Sequence, residues 1–107
     1  MKYYSTNKKA PMATLHEAVV KGLAGDRGLY MPERITQLPQ SFFDEIDNFS
    51  FQDIAFRVAQ AFFGEDIPDA DLHHIVYDTL SFDCPVARVT DNIYSLELFH
   101  GPTLAFK

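Results

Sequence analysis

The sequence contains a single cysteine and no tryptophan, and basic residues are few. Because Cys84 has no partner thiol, no internal disulfide can form, which fits the reducing interior of a cell. Nine Lys and Arg stand against fifteen Asp and Glu, which gives a formal net charge of −6. A chain of this charge lacks the basic surface that phosphate backbones require, so no nucleic-acid partner is expected.

Long apolar runs are absent as well. No segment approaches the roughly 20 apolar residues of a membrane-spanning helix, and the opening residues lack the apolar stretch of a secretory signal. We therefore expect a cytoplasmic protein with no membrane contact. The chain does have ample apolar content, since 47% of its residues are hydrophobic and ten are Phe. This content suffices for the core of one small domain, so global disorder is not expected.

Three segments have the 3.6-residue apolar spacing of amphipathic helices. The first begins at Thr14, which is predicted to form a capping box with Glu17, and it ends at a cluster of glycines. The second begins at Ser50 and ends at Gly64, and the third begins at Pro68. The faces predicted to be buried are Leu15, Ala18, Val19, Gly22 and Leu23; Phe51, Ile54, Ala55, Val58, Ala59 and Phe62; and Leu72, Ile75, Val76, Thr79 and Leu80.

Extended segments flank these helices. Short strands are predicted at 2–5 and 29–31, and a short helical turn at 41–46. After residue 85 the pattern changes, and strands at 86–89 and 93–98 are predicted to form a hairpin around Asp91-Asn92. The predicted fold class is α+β. A small helical module of three helices and short strands occupies residues 1–82, and a β-hairpin that begins a further sheet occupies residues 83–107.

Two patterns in the helical module suggest sites that their spacing does not support. His73 and His74 are adjacent, so on a helix their side chains diverge by ~100° and cannot hold one metal ion together. No metal site is predicted. The glycines at 22, 25 and 28 follow a helix and precede an extended segment, whereas a dinucleotide-binding loop follows a strand and precedes a helix. We interpret them as a helix C-cap followed by a turn that needs positive φ.

The eight residues at 100–107, HGPTLAFK, carry the strongest candidate for chemistry. They follow the second strand of the hairpin, and Gly101 with Pro102 can form a sharp turn there. A lysine placed just after a strand can project from a rigid edge into a cleft, where burial or a nearby cation would favour its nucleophilic neutral form. From spacing alone, a solvent-exposed Lys107 remains the simpler interpretation.

Two separated segments resemble threonine synthases. GLAGDRGLYMPE at 22–33 is similar to the signature near the N terminus of that family, and ELFHGPTLAFK at 97–107 is similar to the segment with the family's cofactor lysine. The segments stand in the family's order, and the resemblance spans most of the chain. It implies the N-terminal portion of a pyridoxal-phosphate lyase of fold type II, with an α/β fold when complete. The implied reaction converts O-phosphohomoserine and water to threonine and phosphate.

The resemblance also implies residue roles. Lys107 would be the catalytic residue and form the Schiff base with pyridoxal phosphate. Thr103 and Phe106 would bind near the cofactor, and the residues His100, Gly101 and Pro102 would shape the segment. Residues 1–82 would be the family's N-terminal domain, and 83–107 the first strands of its catalytic domain. Since the family's phosphate-binding glycines and most substrate contacts follow the lysine, we expect the 107-residue chain alone to be inactive and to bind the cofactor weakly.

A different function is also compatible with the pattern. The chain could be a stand-alone, non-catalytic interaction module. In that case the strand at 93–98 would offer an unpaired edge, and the chain would self-associate or bind a partner by strand addition.

Overall fold

The computed structural model describes residues 1–105 of the chain. Over these residues it has four α-helices and two small antiparallel sheets, which confirms the predicted α+β class. A single 3-10 turn at Ile46–Asn48 follows α2, and together they overlap and extend beyond the helical turn predicted at 41–46. The elements are β1 (Tyr3–Ser5), α1 (Leu15–Lys21), β2 (Tyr30–Pro32), α2 (Gln40–Asp44), α3 (Phe51–Phe63), α4 (Asp69–Thr79), β3 (Val86–Thr90) and β4 (Ile93–Leu96).

The first sheet ties the N-terminal segment to the helices. β1 pairs antiparallel with β2, and Tyr3 also exchanges backbone hydrogen bonds of 2.8 and 2.9 Å with Ala13. The Tyr3 ring packs with Leu15 and Ala18 of α1 in the buried cluster of this region. Its hydroxyl donates to the Phe62 carbonyl oxygen at 3.2 Å, so one side chain links β1, α1 and α3.

The helix starts predicted at Thr14 and at Ser50 both form as the sequence predicts. Thr14 Oγ1 accepts a hydrogen bond from the Glu17 amide at 3.2 Å, and the Glu17 carboxylate accepts one from the Thr14 amide at 2.9 Å. Ser50 and Asp53 form the same reciprocal pair at α3, with distances of 3.1 and 3.3 Å. Each box satisfies amide groups that a helix leaves without intrahelical partners, which fixes where the helix begins.

The buried faces of the helices are narrower than predicted. Leu72 and Val76 of α4 are buried, at 2% and 8% exposure, but Ile75 on the same predicted face is 49% exposed. Val19 of α1 is 70% exposed, and Leu23, just beyond the C-cap of α1, is 53% exposed. The predicted burial is therefore wrong at these positions. It is also wrong for the face predicted on α3, of which no residue is buried. For Val19 and Ile75 the physical reason is an apolar groove that both side chains line and that no other element of residues 1–105 fills.

The hairpin is confirmed, with a shorter second strand. β3 and β4 pair antiparallel around Asp91-Asn92, and the register shifts between Arg88 and Thr90. β4 ends at Leu96 rather than at residue 98. The reason is that Pro85 directly precedes the paired strand β3 and has no N–H to donate to β4. Within residues 1–105 the hairpin pairs with no further strand. The boundary near residue 82 stays a prediction.

α3, at 13 residues, is the longest helix of residues 1–105. Among these residues no helix combines the length and the apolar character needed to span a membrane.

Candidate functional site

The predicted site segment leaves the end of β4 through a defined turn. The Leu104 amide donates to the Gly101 carbonyl oxygen at 3.0 Å, and Leu104 has a φ of 57° in the left-handed region. Thr103 lies exposed within this turn. The predicted cofactor lysine, Lys107, and its neighbour Phe106 lie outside the described residues, so their roles stay predictions.

Gly101 is buried against an aromatic ring. A Cβ atom at this position would lie 2.7 Å from Cζ of Phe82, closer than non-bonded atoms approach, so any larger residue would have to displace the Phe82 ring. Phe82 lies between the end of α4 and the start of β3. Its ring thus joins the segment that enters the hairpin to the segment that leaves it. No local pattern in the sequence marks Phe82, since the contact joins residues distant in the chain.

The same turn holds a paired histidine. Nε2 of His100 lies 2.6 Å from Oε2 of Glu97, and the Phe99 and His100 ring centroids are 4.6 Å apart. Both members of the Glu97–His100 pair are partly exposed. Side-chain pairs this exposed contribute at most ~1 kcal/mol to stability, so the main effect of this contact is to orient the chain.

A cavity of about 740 Å³ lies beside the turn. Its lining is mostly apolar, and the half-buried thiol of Cys84 contributes to it. Among residues 1–105 the lining includes no Lys, Arg or His, and its one charged side chain is Asp83. The residues that line it are Phe51, Thr79, Leu80, Phe82, Asp83, Cys84, Pro85, Leu96, Leu98, Pro102, Thr103 and Ala105.

The glycine-rich segment at 22–28 surrounds an internal carboxylate. Oδ1 of Asp26 accepts hydrogen bonds from the Ser5 hydroxyl at 2.6 Å and the Gly28 amide at 3.0 Å. Oδ2 accepts from the amides of Lys9 and Ala10, both at 2.9 Å. The Ser5 hydroxyl and these amides hold the pKa of Asp26 at about 2, below its usual 3.8. Sequence reasoning missed this role of Asp26, although the residue stands within the signature segment.

This geometry favours the structural interpretation of the glycines. Gly22 caps α1 with a φ of 70°, as predicted, but the positive φ in the following turn belongs to Arg27, at 68°. Gly28 is needed for space, because a Cβ there would lie 2.0 Å from Ser5 Oγ. Its amide already binds the Asp26 carboxylate, so this group is not available to a phosphate ligand.

The adjacent histidines lie on α4, where His73 takes part in packing. Its ring stacks on Tyr77, with centroids 4.1 Å apart, and contacts the edge of Phe56. The Tyr77 hydroxyl donates to Asp53 across to α3. Hydrogen bonds from Ser50 and Tyr77 lower the pKa of Asp53. Within residues 1–105 no group of three His, Cys, Asp or Glu side chains is arranged to hold a metal ion.

The comparisons with known proteins agree with one another. Residues 2–80 match the family model described as threonine synthase N terminus. A threonine synthase from Serratia marcescens is 39% identical over 110 residues, which is 100% of this chain and 25% of that protein.

Solved structures give the same answer. The crystal structure of threonine synthase from Escherichia coli superposes on 99% of this chain and 25% of its own, with 34% identity and a TM-score of 0.87. That of PLP-bound threonine synthase from Brucella melitensis covers 99% of this chain and 24% of its own, with 39% identity and a TM-score of 0.84. The chain thus spans about a quarter of the length of its relatives. It belongs to the threonine synthase family, whose N-terminal region it represents.

Proposed function

We propose that this chain is the N-terminal part of a pyridoxal-phosphate-dependent threonine synthase. The proposed enzyme is a lyase of threonine biosynthesis that converts O-phosphohomoserine and water to threonine and phosphate. The observation that carries the proposal is the match over essentially the whole chain, in sequence and in fold, to threonine synthases. A cytoplasmic location is part of the proposal, and the single cysteine fits such a reducing compartment. Neither a nucleic acid nor a membrane is proposed as a partner.

Within this proposal, Lys107 is the residue that holds the cofactor. The support is its position in the segment 97–107, which is similar to the family's lysine segment, and the hydrogen-bonded turn that ends at Leu104, three residues before it. When bound, pyridoxal phosphate supplies the electron withdrawal that makes the substrate Cα acidic. A lysine amine beside that carbon can accept and return its proton.

The described residues fit only part of the cofactor. They lead the chain to Lys107, but the cavity beside the turn is a poor site for the phosphate group. A phosphate dianion needs cations or free amides, whereas the lining within residues 1–105 is apolar and carries the Asp83 carboxylate. We therefore infer that the phosphate site lies in the part of the enzyme that follows this segment. The 107-residue chain alone is expected to be inactive and to bind pyridoxal phosphate weakly.

The proposal can be tested in the full-length enzyme that contains this segment. Threonine and phosphate release from O-phosphohomoserine is measured for the native protein, for Lys107→Ala and for Lys21→Ala. Lys21 lies in the last turn of α1 and serves as the control. The proposal predicts that Lys107→Ala abolishes turnover and that Lys21→Ala retains it. Absence of threonine formation by the native protein, or turnover by Lys107→Ala, would contradict it.

A second candidate function is supported by the exposed hairpin. Val86 and Ile93 are 63% and 61% exposed, and within residues 1–105 no further strand pairs with β3 or β4. Unpaired strand edges with apolar side chains recruit other strands. As an interaction module, the 107-residue chain would self-associate through this hairpin. Sedimentation equilibrium should then show a dimer that a Val86→Lys substitution weakens, and a monomer at high concentration would count against this function.

A further inference from the structure

The two flanks of the hairpin are held together at its base. Phe82 comes four residues before β3, and Gly101 comes five residues after β4. The buried Gly101 backbone lies so close to the Phe82 ring that a methyl group at Gly101 would have to displace that ring. The chain that leaves β4 therefore passes over a fixed surface.

Glu97 adds a second constraint. Its amide donates to the Pro85 carbonyl oxygen at 3.0 Å, which fixes its backbone to the start of the hairpin. Its carboxylate binds His100 at 2.6 Å, three residues further along. The backbone anchor and the side-chain contact together set the direction of the turn before Gly101.

The turn itself completes the path. The hydrogen bond from the Leu104 amide to the Gly101 carbonyl oxygen reverses the chain just after the Phe82 contact. The contacts of Gly101 with Phe82 and Leu104, and those of Glu97 with Pro85 and His100, thus constrain the course of residues 97–104. None of them is needed to form the hairpin, whose ladder is complete at Leu96.

We propose that Glu97 and Phe82 are positioning residues that direct the chain from β4 so that the Lys107 amine meets the cofactor aldehyde. This inference rests on the proposed function, since it assumes the role of Lys107. Neither residue is adjacent to Lys107 in the sequence, so each would act on the lysine through the turn at 100–104. The expected consequence of losing either contact is a slower capture of pyridoxal phosphate by the lysine rather than a loss of folding.

The hairpin offers a matched control for Glu97. At its opposite end Nη2 of Arg88 binds Asp91 at 2.6 Å, and these partners also stand three positions apart in the sequence. Asp91→Asn breaks a pair of the same length and spacing on the same hairpin, far from the turn. For Phe82 the control is Phe51→Leu, because Phe51 lines the same cavity but is not among the atoms nearest to Gly101.

The experiment uses the full-length enzyme, freed of cofactor and mixed with pyridoxal phosphate. The rate at which borohydride-stable cofactor forms on the protein is measured, together with the absorption band of the lysine-bound cofactor and the melting temperature. Glu97→Gln and Phe82→Leu should slow attachment at least about tenfold, with both controls within about twofold of the native rate, because small displacements of a reacting group are costly. The melting temperature of Glu97→Gln should equal that of Asp91→Asn.

The outcomes separate the inference from its premise. If Lys107→Ala still acquires borohydride-stable cofactor, the proposed function is wrong. If Lys107→Ala loses it while Glu97→Gln attaches cofactor at the native rate, the lysine role holds and the positioning inference is overturned. Should Phe82→Leu fail to fold, the comparison of Glu97→Gln with Asp91→Asn still decides, since neither carboxylate is buried.

Discussion

Gly28→Ala should destabilise the fold far more than Gly25→Ala, although the two substitutions are chemically identical. At Gly28 the added Cβ would lie 2.0 Å from Ser5 Oγ and 2.9 Å from the Asn7 amide nitrogen. At Gly25 nothing lies within 4 Å of the added atom. Neither glycine has a positive φ, so the difference between the two variants reports close packing alone.

The magnitude follows from what can move at Gly28. Ser5 is fully buried, and its hydroxyl both donates to Asp26 at 2.6 Å and accepts from the Asn7 amide at 3.2 Å. A rotation that removes the clash would break both hydrogen bonds, and the Asn7 amide belongs to the backbone. Overpacking typically costs 1–3 kcal/mol, and the immobile neighbours place Gly28→Ala at about 3 kcal/mol. For Gly25→Ala, the free energy of unfolding should change by less than about 1 kcal/mol.

Urea denaturation followed by circular dichroism measures this difference directly. The midpoint of Gly28→Ala should fall well below that of Gly25→Ala with a similar slope, which reports stability rather than a change in the denatured state. Equal midpoints for the two variants would refute the assignment of residues 22–28 as a packed structural segment. A loop of that kind would instead have room for a ligand.

Three further predictions concern the same fold. The depressed pKa of Asp26, about 2 against 3.8, means that its contribution is present above pH 3.8 and is lost as the pH falls towards 2. Asp26→Asn should remove this part of the acid unfolding profile. Leu72→Ala, at a side chain only 2% exposed, should cost about 2–5 kcal/mol by denaturant titration, whereas exposed Ile75→Ala should cost less. Tyr77→Phe should raise the pKa of Asp53, measured by NMR titration, because one of its hydrogen bonds is lost.

The sequence was sufficient wherever contacts are local. Thr14 and Glu17 stand three residues apart, and their reciprocal hydrogen bonds depend only on that spacing. The turn at Asp91-Asn92 was found for the same reason, since turn residues between two apolar segments specify a hairpin without help from the rest of the chain.

Contacts between distant segments could not be predicted. Ser5 and Asp26 are 21 residues apart, and nothing in either local pattern indicates that a serine hydroxyl will meet that carboxylate. The contact of Gly101 with Phe82 is of the same kind. The exposure of Val19 and Ile75 has another cause, because helical periodicity shows which side of a helix is apolar but not whether a neighbour covers it.

The central claim is that the ε-amino group of Lys107 carries the cofactor in the full-length threonine synthase. Borohydride reduction of the purified enzyme, followed by protease digestion and mass spectrometry, tests it most directly. The account predicts that the reduced pyridoxyl-phosphate group is found on the peptide that contains residue 107 and on that lysine. Attachment at a different lysine, or an unmodified residue 107 in an active enzyme, would contradict it.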